Sequence, residues 1–454
     1  MIPRVVIAGT ASGAGKTSIA CGLIGALRVR GMRVQGFKVG PDYIDPTYHR
    51  IASGRTGRNL DAFLSGPDLI APLFRHGARG ADLAVIEGVM GLFDGATGQG
   101  ELASTAHVAK LLGAPVLLVV DGASIARSVA AIVHGYRTFD PDVDVAGVIL
   151  NHLGSAHHEQ ILRDAIAPLG VPVVGALHRD PQLRVPERHL GLVPADEWGD
   201  RSRTVLDALA ARVTRHVDLD AIVALARRGG PLSGPVWSPQ PQGAPVRVRI
   251  AVAMGPAFSF HYEENLELLT AAGAELVPVD PLRDERLPED IGALILAGGF
   301  PEVFGAELAA NAPLRAEVAD FARSGLPVVA ECGGLLYLCQ ELDGHPMCAA
   351  IPARGRMAGR LTLGYRDAQA LTTTPYLEAG ERLRGHEFHH STIDPLPGWE
   401  GSAAWTLSAR GADRPEGFAF AGVHASYLHV HWAAQPHLAL RLARAASAAR
   451  FARA

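Results

Sequence analysis

Gly9-Thr10-Ala11-Ser12-Gly13-Ala14-Gly15-Lys16-Thr17 follows the apolar run of residues 4–8 and precedes a helical stretch over residues 18–27. A strand, a glycine-rich turn and a helix in that order predict a phosphate-binding loop. Gly9, Gly13 and Gly15 let backbone N–H groups turn inward around phosphate oxygens, and the helix start adds the positive end of its dipole. On this reading Thr10, Ser12, Gly13, Ala14, Gly15, Lys16 and Thr17 hold a nucleotide. Lys16 reaches the outer phosphates and the Thr17 hydroxyl binds Mg2+. Five residues separate Gly9 from Gly15, one more than in the standard form.

Outward from this loop, near-continuous apolar runs recur at residues 34–38, 83–88, 116–121, 145–151 and 171–176, separated by helical patterns. Such runs predict strands buried on both faces, hence an α/β domain with a parallel sheet. Residues 227–245 break the pattern with clustered glycine and proline, which hold neither a helix nor a central strand. The alternation resumes at residues 246–254, 275–279, 293–296 and 327–330. We therefore expect an α/β domain over residues 1–226, a linker over 227–245 and a second α/β domain over 246–454. Leu438, Leu442 and Phe451 recur at helical spacing in the tail, which predicts a final packed helix.

A chain of 454 residues supports two or three full cores, and 48% hydrophobic content fits a packed globular protein. The formal charge of −4 offers no basic excess for nucleic acid or anionic lipid. No apolar stretch approaches the roughly 20 residues of a membrane span. The first strand starts at residue 4, which leaves no room for a signal peptide. Cys21, Cys332, Cys339 and Cys348 form no CxxC pair, so neither a zinc site nor a disulfide framework is expected, and a reducing cytoplasm fits. Only Lys16, Lys38 and Lys110 are lysines among 42 basic residues. A lysine kept inside the phosphate loop suits a site that needs a compact ammonium rather than a planar guanidinium.

Two loops follow strands beside the phosphate loop. Phe37-Lys38-Val39-Gly40-Pro41-Asp42-Tyr43-Ile44-Asp45-Pro46 follows the second run, at the sheet edge where α/β proteins bind ligands. Glu87-Gly88-Val89-Met90-Gly91-Leu92-Phe93-Asp94-Gly95 follows the third. Mg2+ takes one or two carboxylates plus phosphate oxygens, so Asp42 and Glu87 are the expected partners of Thr17 in a metal shell. Helix capping is the competing role for each acid.

Further on, Ala330-Glu331-Cys332-Gly333-Gly334 ends another apolar run and precedes a helical stretch. That pattern is a nucleophile elbow: a sharp turn lifts Cys332 into the open and the helix start favours its thiolate. A thiol nucleophile needs a base, and His424, His429 and His431 cluster in Gly422-Val423-His424-Ala425-Ser426-Tyr427-Leu428-His429-Val430-His431-Trp432. Gly385-His386-Glu387-Phe388-His389-His390 lacks the HExxH spacing, and neither cluster reads as a metal site. The N–H of Gly299, in Ala297-Gly298-Gly299-Phe300-Pro301-Glu302, and that of Gly333 are the expected oxyanion donors.

The phosphate loop with its shifted spacing resembles the dethiobiotin synthetase branch of P-loop proteins. The Gly299, Cys332 and Tyr427–His431 motifs resemble a class I glutamine amidotransferase domain of the cobyric-acid type. In this order, over nearly the whole chain, they resemble the cobyrinic and hydrogenobyrinic acid a,c-diamide synthases of cobalamin biosynthesis. The resemblance implies a P-loop parallel-sheet domain followed by a class I glutamine amidotransferase α/β domain. It implies amidation of the a and c carboxylates of a corrin-type macrocycle through an acyl phosphate and ammonia from glutamine. Cys332 becomes the nucleophile and His429 the base. His431 then stands where the family pattern has glutamate, so the third triad member is missing or comes from elsewhere. Lys16, Thr17, Asp42 and Glu87 would serve MgATP. Lys38, Tyr43, Ile44 and Asp94 would lie toward the tetrapyrrole carboxylates. The implied partners are ATP, glutamine and a tetrapyrrole polycarboxylate, with Mg2+, no bound organic cofactor and a cytoplasmic location; a homodimer is compatible. The alternatives are a nickel-sirohydrochlorin diamide synthase, a cobyric acid synthase or, from another class, a ParA/MinD-like ATPase. The last carries an early loop lysine where this chain has Ala11.

Overall fold

The structure is a computed structural model and describes residues 2–180, 187–188, 191–193, 195–240, 243–397, 399, 401–409 and 411–451. The chain forms two compact units, Met1–Ser238 and Pro239–Ala454.

The first unit is built on seven strands: β1 Arg4–Gly9, β2 Val34–Val39, β3 Arg58–Leu60, β4 Leu83–Glu87, β5 Val116–Asp121, β6 Val145–Leu153 and β7 Val173–His178. They pair in parallel in the order β3-β2-β4-β1-β5-β6-β7. Val5, Val6, Ile7 and Ala8 are fully buried, as expected of a central strand covered on both sides. The order reverses direction around β1, and the crevice at that switch point opens at its carboxyl end, where the phosphate loop begins. Helix α1, Lys16–Val29, leaves that loop, and α2, Asp45–Ser53, follows β2.

The segment expected as a linker is divided. Arg4 is buried under it and donates to Gly230 O at 2.7 Å. Trp237 is buried edge-on against the His76 ring, 4.8 Å between centroids. The first unit therefore extends to Ser238. No strand or helix occurs among the described residues between Ala226 and Val248, as glycine and proline there dictate.

The second unit has a six-stranded sheet: β8 Val248–Ala253, β9 Ala274–Val279, β10 Ile291–Leu296, β11 Val328–Glu331, β12 Phe418–Phe420 and β13 Val423–Ser426. Its order is β9-β8-β10-β11-β13-β12, parallel except for the last pair. A second sheet is organised by the long antiparallel strands Ala353–Ala370 and Arg382–Pro395, and His429–Val430 joins it beside Gly385 and His386. The final helix, His437–Phe451, buries Leu438 and Leu442 completely. Among the described residues no helix is long and apolar enough to cross a membrane.

Candidate active sites

The phosphate loop is tied back through its carbonyls. Tyr136 donates its hydroxyl to Thr10 O at 2.5 Å, Asn151 Nδ2 donates to Ala14 O at 3.0 Å, and Lys16 Nζ donates to Ala11 O at 3.1 Å and Met90 O at 2.6 Å. Gly15 caps α1 at φ +90°, a conformation that favours glycine. The Thr10 N–H is spent on Val119 O at 3.2 Å, so the backbone cradle lies further along the loop. Burial, aided by the nearby Lys38 charge, lowers Lys16 to about 8. Its ammonium thus rests on neutral carbonyls in a place where phosphate would be a stronger partner.

Beyond Thr17 lies a buried ionic cluster. Glu87, at the end of β4, accepts the Thr17 hydroxyl at 2.5 Å and the Lys38 ammonium at 2.8 Å on Oε1, and meets His49 Nε2 at 2.7 Å with Oε2. Asp45 Oδ2 lies 2.5 Å from Lys38 Nζ and 3.3 Å from Thr17 Oγ1. Burial pushes the Glu87 carboxyl up, but Lys38 and His49 outweigh it and hold it well below the usual carboxylate range. Burial and the like charges of Asp42 and Glu87 push the Asp45 carboxyl up. Burial would lower Lys38, yet Asp45 and Glu87 carry it above the ordinary lysine range. The carboxylates from α2 and β4 thus hold the Lys38 ammonium, and the Thr17 hydroxyl from α1 touches both of them. A hydroxyl and two carboxylates form a hard-oxygen set that fits Mg2+.

Asp42, expected in that shell, stands outside it. Its Oδ1 accepts the N–H groups of Ile44 at 2.7 Å and Asp45 at 3.1 Å, capping the turn into α2, and Asp45 takes the place beside Thr17 and Glu87. Lys38, expected toward substrate, is buried against these carboxylates instead. Tyr43 and Ile44 are also buried and support the loop from inside. Asp94 is exposed, and its Oδ2 accepts the Gly91 N–H at 2.9 Å, closing the turn after β4.

In the second unit Cys332 sits at φ +46°, ψ −100°, a strained conformation forced by the turn from β11 into the helix Gly333–Leu338. Gly334 is required there, since a Cβ would lie 2.1 Å from Leu296 O. A Cβ on Gly333 would lie 2.9 Å from Gly299 N, so the two expected oxyanion donors are adjacent. The helix has only six residues, so its dipole does little for a thiolate.

The stronger influence is His429, which hydrogen-bonds Cys332, with its Nδ1 3.3 Å from Glu331 Oε2. Burial alone would lower the imidazole; Cys332 and Glu331 together raise it to about 10. β13 lies beside β11 with Ser426 opposite Glu331, and the chain then turns to present His429. That turn is locked by Glu416, which accepts the Ser426 hydroxyl at 2.5 Å and the Tyr427 N–H at 2.8 Å.

His431 is turned elsewhere: Nε2 faces buried Glu264 at 3.4 Å and Nδ1 accepts the Ala433 N–H at 3.3 Å. His424 is packed edge-on between Tyr376 and Trp405, and burial lowers it to about 3. Glu387 accepts from Arg366 Nε at 2.5 Å and pairs with Arg414, while His389 stacks on Tyr427. The histidine-rich 385–390 segment thus braces the antiparallel sheet. Cys21, Cys339 and Cys348 are buried, and burial raises all three thiols.

Comparison with known proteins agrees with this division. The family profile described as a CobQ/CobB/MinD/ParA nucleotide binding domain matches residues 5–193. A CobB/CobQ-like glutamine amidotransferase domain matches residues 249–437. A hydrogenobyrinate a,c-diamide synthase of Streptomyces coelicolor is 53% identical, over 97% of this chain and 96% of the relative. That of Mycobacterium tuberculosis is 51% identical, over 96% of each chain. A cobyrinate a,c-diamide synthase of a Synechococcus species is 43% identical, over 96% of each. The chain belongs to the a,c-diamide synthase family.

Two groups at these sites escaped the reading of the sequence. Asp45-Pro46 is a helix-start signal that puts Asp45 on the first turn of α2, a rigid element. Glu331 directly precedes the nucleophile, whereas the family pattern has its acid after the histidine.

Proposed function

We propose that this chain amidates the a and c side-chain carboxylates of hydrogenobyrinate or cobyrinate, using ATP and glutamine. The observation that carries the reading is the pairing in one chain of a phosphate loop leading to Thr17, Asp45 and Glu87 with a strained Cys332 hydrogen-bonded to His429. We assign the ligase chemistry to residues 1–226 and glutamine hydrolysis to residues 246–454, joined through 227–245.

In the amidotransferase half the Cys332 thiolate attacks the glutamine carboxamide. The N–H groups of Gly299 and Gly333 receive the oxyanion, and His429 gives its proton to the departing ammonia. Water then releases glutamate from the thioester. In the ligase half a macrocycle carboxylate takes the γ-phosphoryl group of ATP, because a carboxylate is a poor electrophile at neutral pH. Ammonia displaces phosphate from the acyl phosphate and leaves an amide. The loop from Ser12 to Gly15 holds the phosphates, Lys16 neutralises the outer ones, and Thr10 contributes through its hydroxyl. Thr17, Asp45 and Glu87 would hold Mg2+, which when bound supplies charge neutralisation to the phosphates. Asp42 orders the loop that carries Asp45. Tyr43 and Ile44 brace the loop on the macrocycle side from inside, and Asp94 stands exposed on that side. The reaction is assigned to the cytoplasm, with no bound organic cofactor, and a homodimer is compatible with it.

The test is a mass spectrum after incubation with MgATP, glutamine and hydrogenobyrinate, with cobyrinate in parallel. Two successive carboxyl-to-amide changes name the macrocycle; none in either overturns the assignment. Cys332→Ser is expected to abolish glutamine use and to keep activity with ammonium salts. Loss of both would overturn the division of labour.

A further inference from the structure

We propose that Glu331 is the positioning acid of the glutaminase site, acting on Cys332 through His429. The inference rests on the function proposed above. Three observations lead to it. First, His431, where the family pattern has an acid, is a histidine paired with Glu264 and Ala433, so it offers no carboxylate to His429. Second, Glu331 Oε2 lies 3.3 Å from His429 Nδ1, with the imidazole 1% and the carboxylate 15% exposed. Third, this pairing is built into the sheet. Glu331 is the last residue of β11, Cys332 is the next residue, and β13 lies parallel alongside, with Ser426 opposite Glu331 and His429 three residues on.

The other ionisable neighbours leave Glu331 the acid for this ring. Glu416 is occupied by Ser426 and Tyr427. Tyr376 lies near Glu331 and stays a phenol, since burial raises it well above its usual range. His386, paired with His429 in the backbone ladder, stays neutral because burial lowers it to about 3.

In the reaction Glu331 acts through the ring and does not touch the glutamine. It holds the Nδ1–H tautomer and orientation of His429. The carboxylate faces the His429 imidazolium, which stands beside the attacking sulfur. The thiolate forms the S–C bond to the glutamine carbonyl; the C–N bond breaks; ammonia leaves with the proton from the imidazolium; neutral His429 then activates the water that opens the thioester.

The experiment compares Glu331→Gln, Glu331→Asp and His431→Gln in the full chain. Glu331→Gln is expected to lower kcat for glutamine by about 10²–10³-fold with KM nearly unchanged, the pattern of a lost orienting acid. Activity with ammonium chloride stays within about twofold of the parent, because the ligase half does not use this group. Iodoacetamide alkylation of Cys332 slows by about tenfold or more, since thiolate content follows the stability of the imidazolium. Glu331→Asp falls between, losing about tenfold in kcat. His431→Gln keeps glutamine turnover near the parent value. Undiminished kcat and alkylation in Glu331→Gln would overturn the proposal, as would a His431→Gln variant that alone shows the loss. Should Glu331→Gln fail to fold, Glu331→Asp decides: full kcat in it overturns the proposal. Failure of the underlying function would look different, as glutamine turnover that survives Cys332→Ser.

Discussion

Replacing Lys38 with Met keeps the volume of the buried stem and deletes only the cation. In the parent, Lys38 Nζ lies 2.5 Å from Asp45 Oδ2 and 2.8 Å from Glu87 Oε1, and the three side chains are 4%, 9% and 0% exposed. Without the ammonium, Asp45 and Glu87 face one another with only the His49 ring still beside Glu87. Breaking such a pair from one side costs about 3–5 kcal/mol. In a unit of this size each kcal/mol moves Tm by about 2–4 °C, so the melting of the first unit in EDTA is expected to drop by about 6–20 °C. A divalent cation in the same place supplies the missing charge. Mg2+ at a hundredfold excess over its Kd returns about 2.7 kcal/mol to the variant. The parent gains less, because its own ammonium competes for the same oxygens. The assay is calorimetric melting with EDTA and across a Mg2+ titration, with isothermal calorimetry for the Mn2+ affinity of each protein. A variant as stable as the parent in EDTA, or one whose loss Mg2+ repairs no better than it stabilises the parent, would refute the reasoning.

Asp45→Asn is expected to weaken Mg2+-dependent nucleotide binding by about tenfold or more, whereas Asp42→Ala loses a turn cap worth about 1 kcal/mol and keeps the metal affinity; calorimetric binding and urea unfolding separate the two. The folded His429 holds its proton up to about pH 10, against about 6.5 when unfolded. Its stabilisation is therefore complete below about pH 6.5 and is lost as pH rises toward 10, and His429→Gln flattens that limb of an unfolding series run from pH 6 to 10. Gly36→Ala places a Cβ 2.7 Å from the Cβ of His49 and 3.0 Å from its Cγ. It is expected to cost about 1–3 kcal/mol and to loosen Glu87; unfolding and Mn2+ binding measured on one sample check both.

Local signals were legible and relational ones were not. The phosphate loop was readable because strand, glycines, lysine and threonine are contiguous, and the physics of the turn lies within it. The Cys332 elbow was readable for the same reason. Missed elements lacked that locality. β3 is three residues long and carries Arg58 and Asn59, so it shows no apolar run. The strands Ala353–Ala370 and Arg382–Pro395 are rich in charge and half open to solvent, which hides them among loops. The linker boundary moved because Trp237 and Gly230 pack on the first unit, a contact that glycine–proline content does not announce.

The sequence by itself determined the two α/β units, the phosphate loop, the strained cysteine and the residue types available to each site, because backbone propensity, burial pattern and turn chemistry act over a few neighbours. Only the tertiary structure decided which carboxylate does what. Asp42 and Asp45 are the same residue type three positions apart, and the start of α2 turns one into a cap and the other toward Thr17. Glu331 directly precedes Cys332 and His431 lies two positions after His429, and the β11–β13 pairing brings Glu331 to His429 while His431 turns to Glu264. Electrostatic partnership falls off over a few ångströms of space, and distance in space is set by how strands and helices pack rather than by distance along the chain.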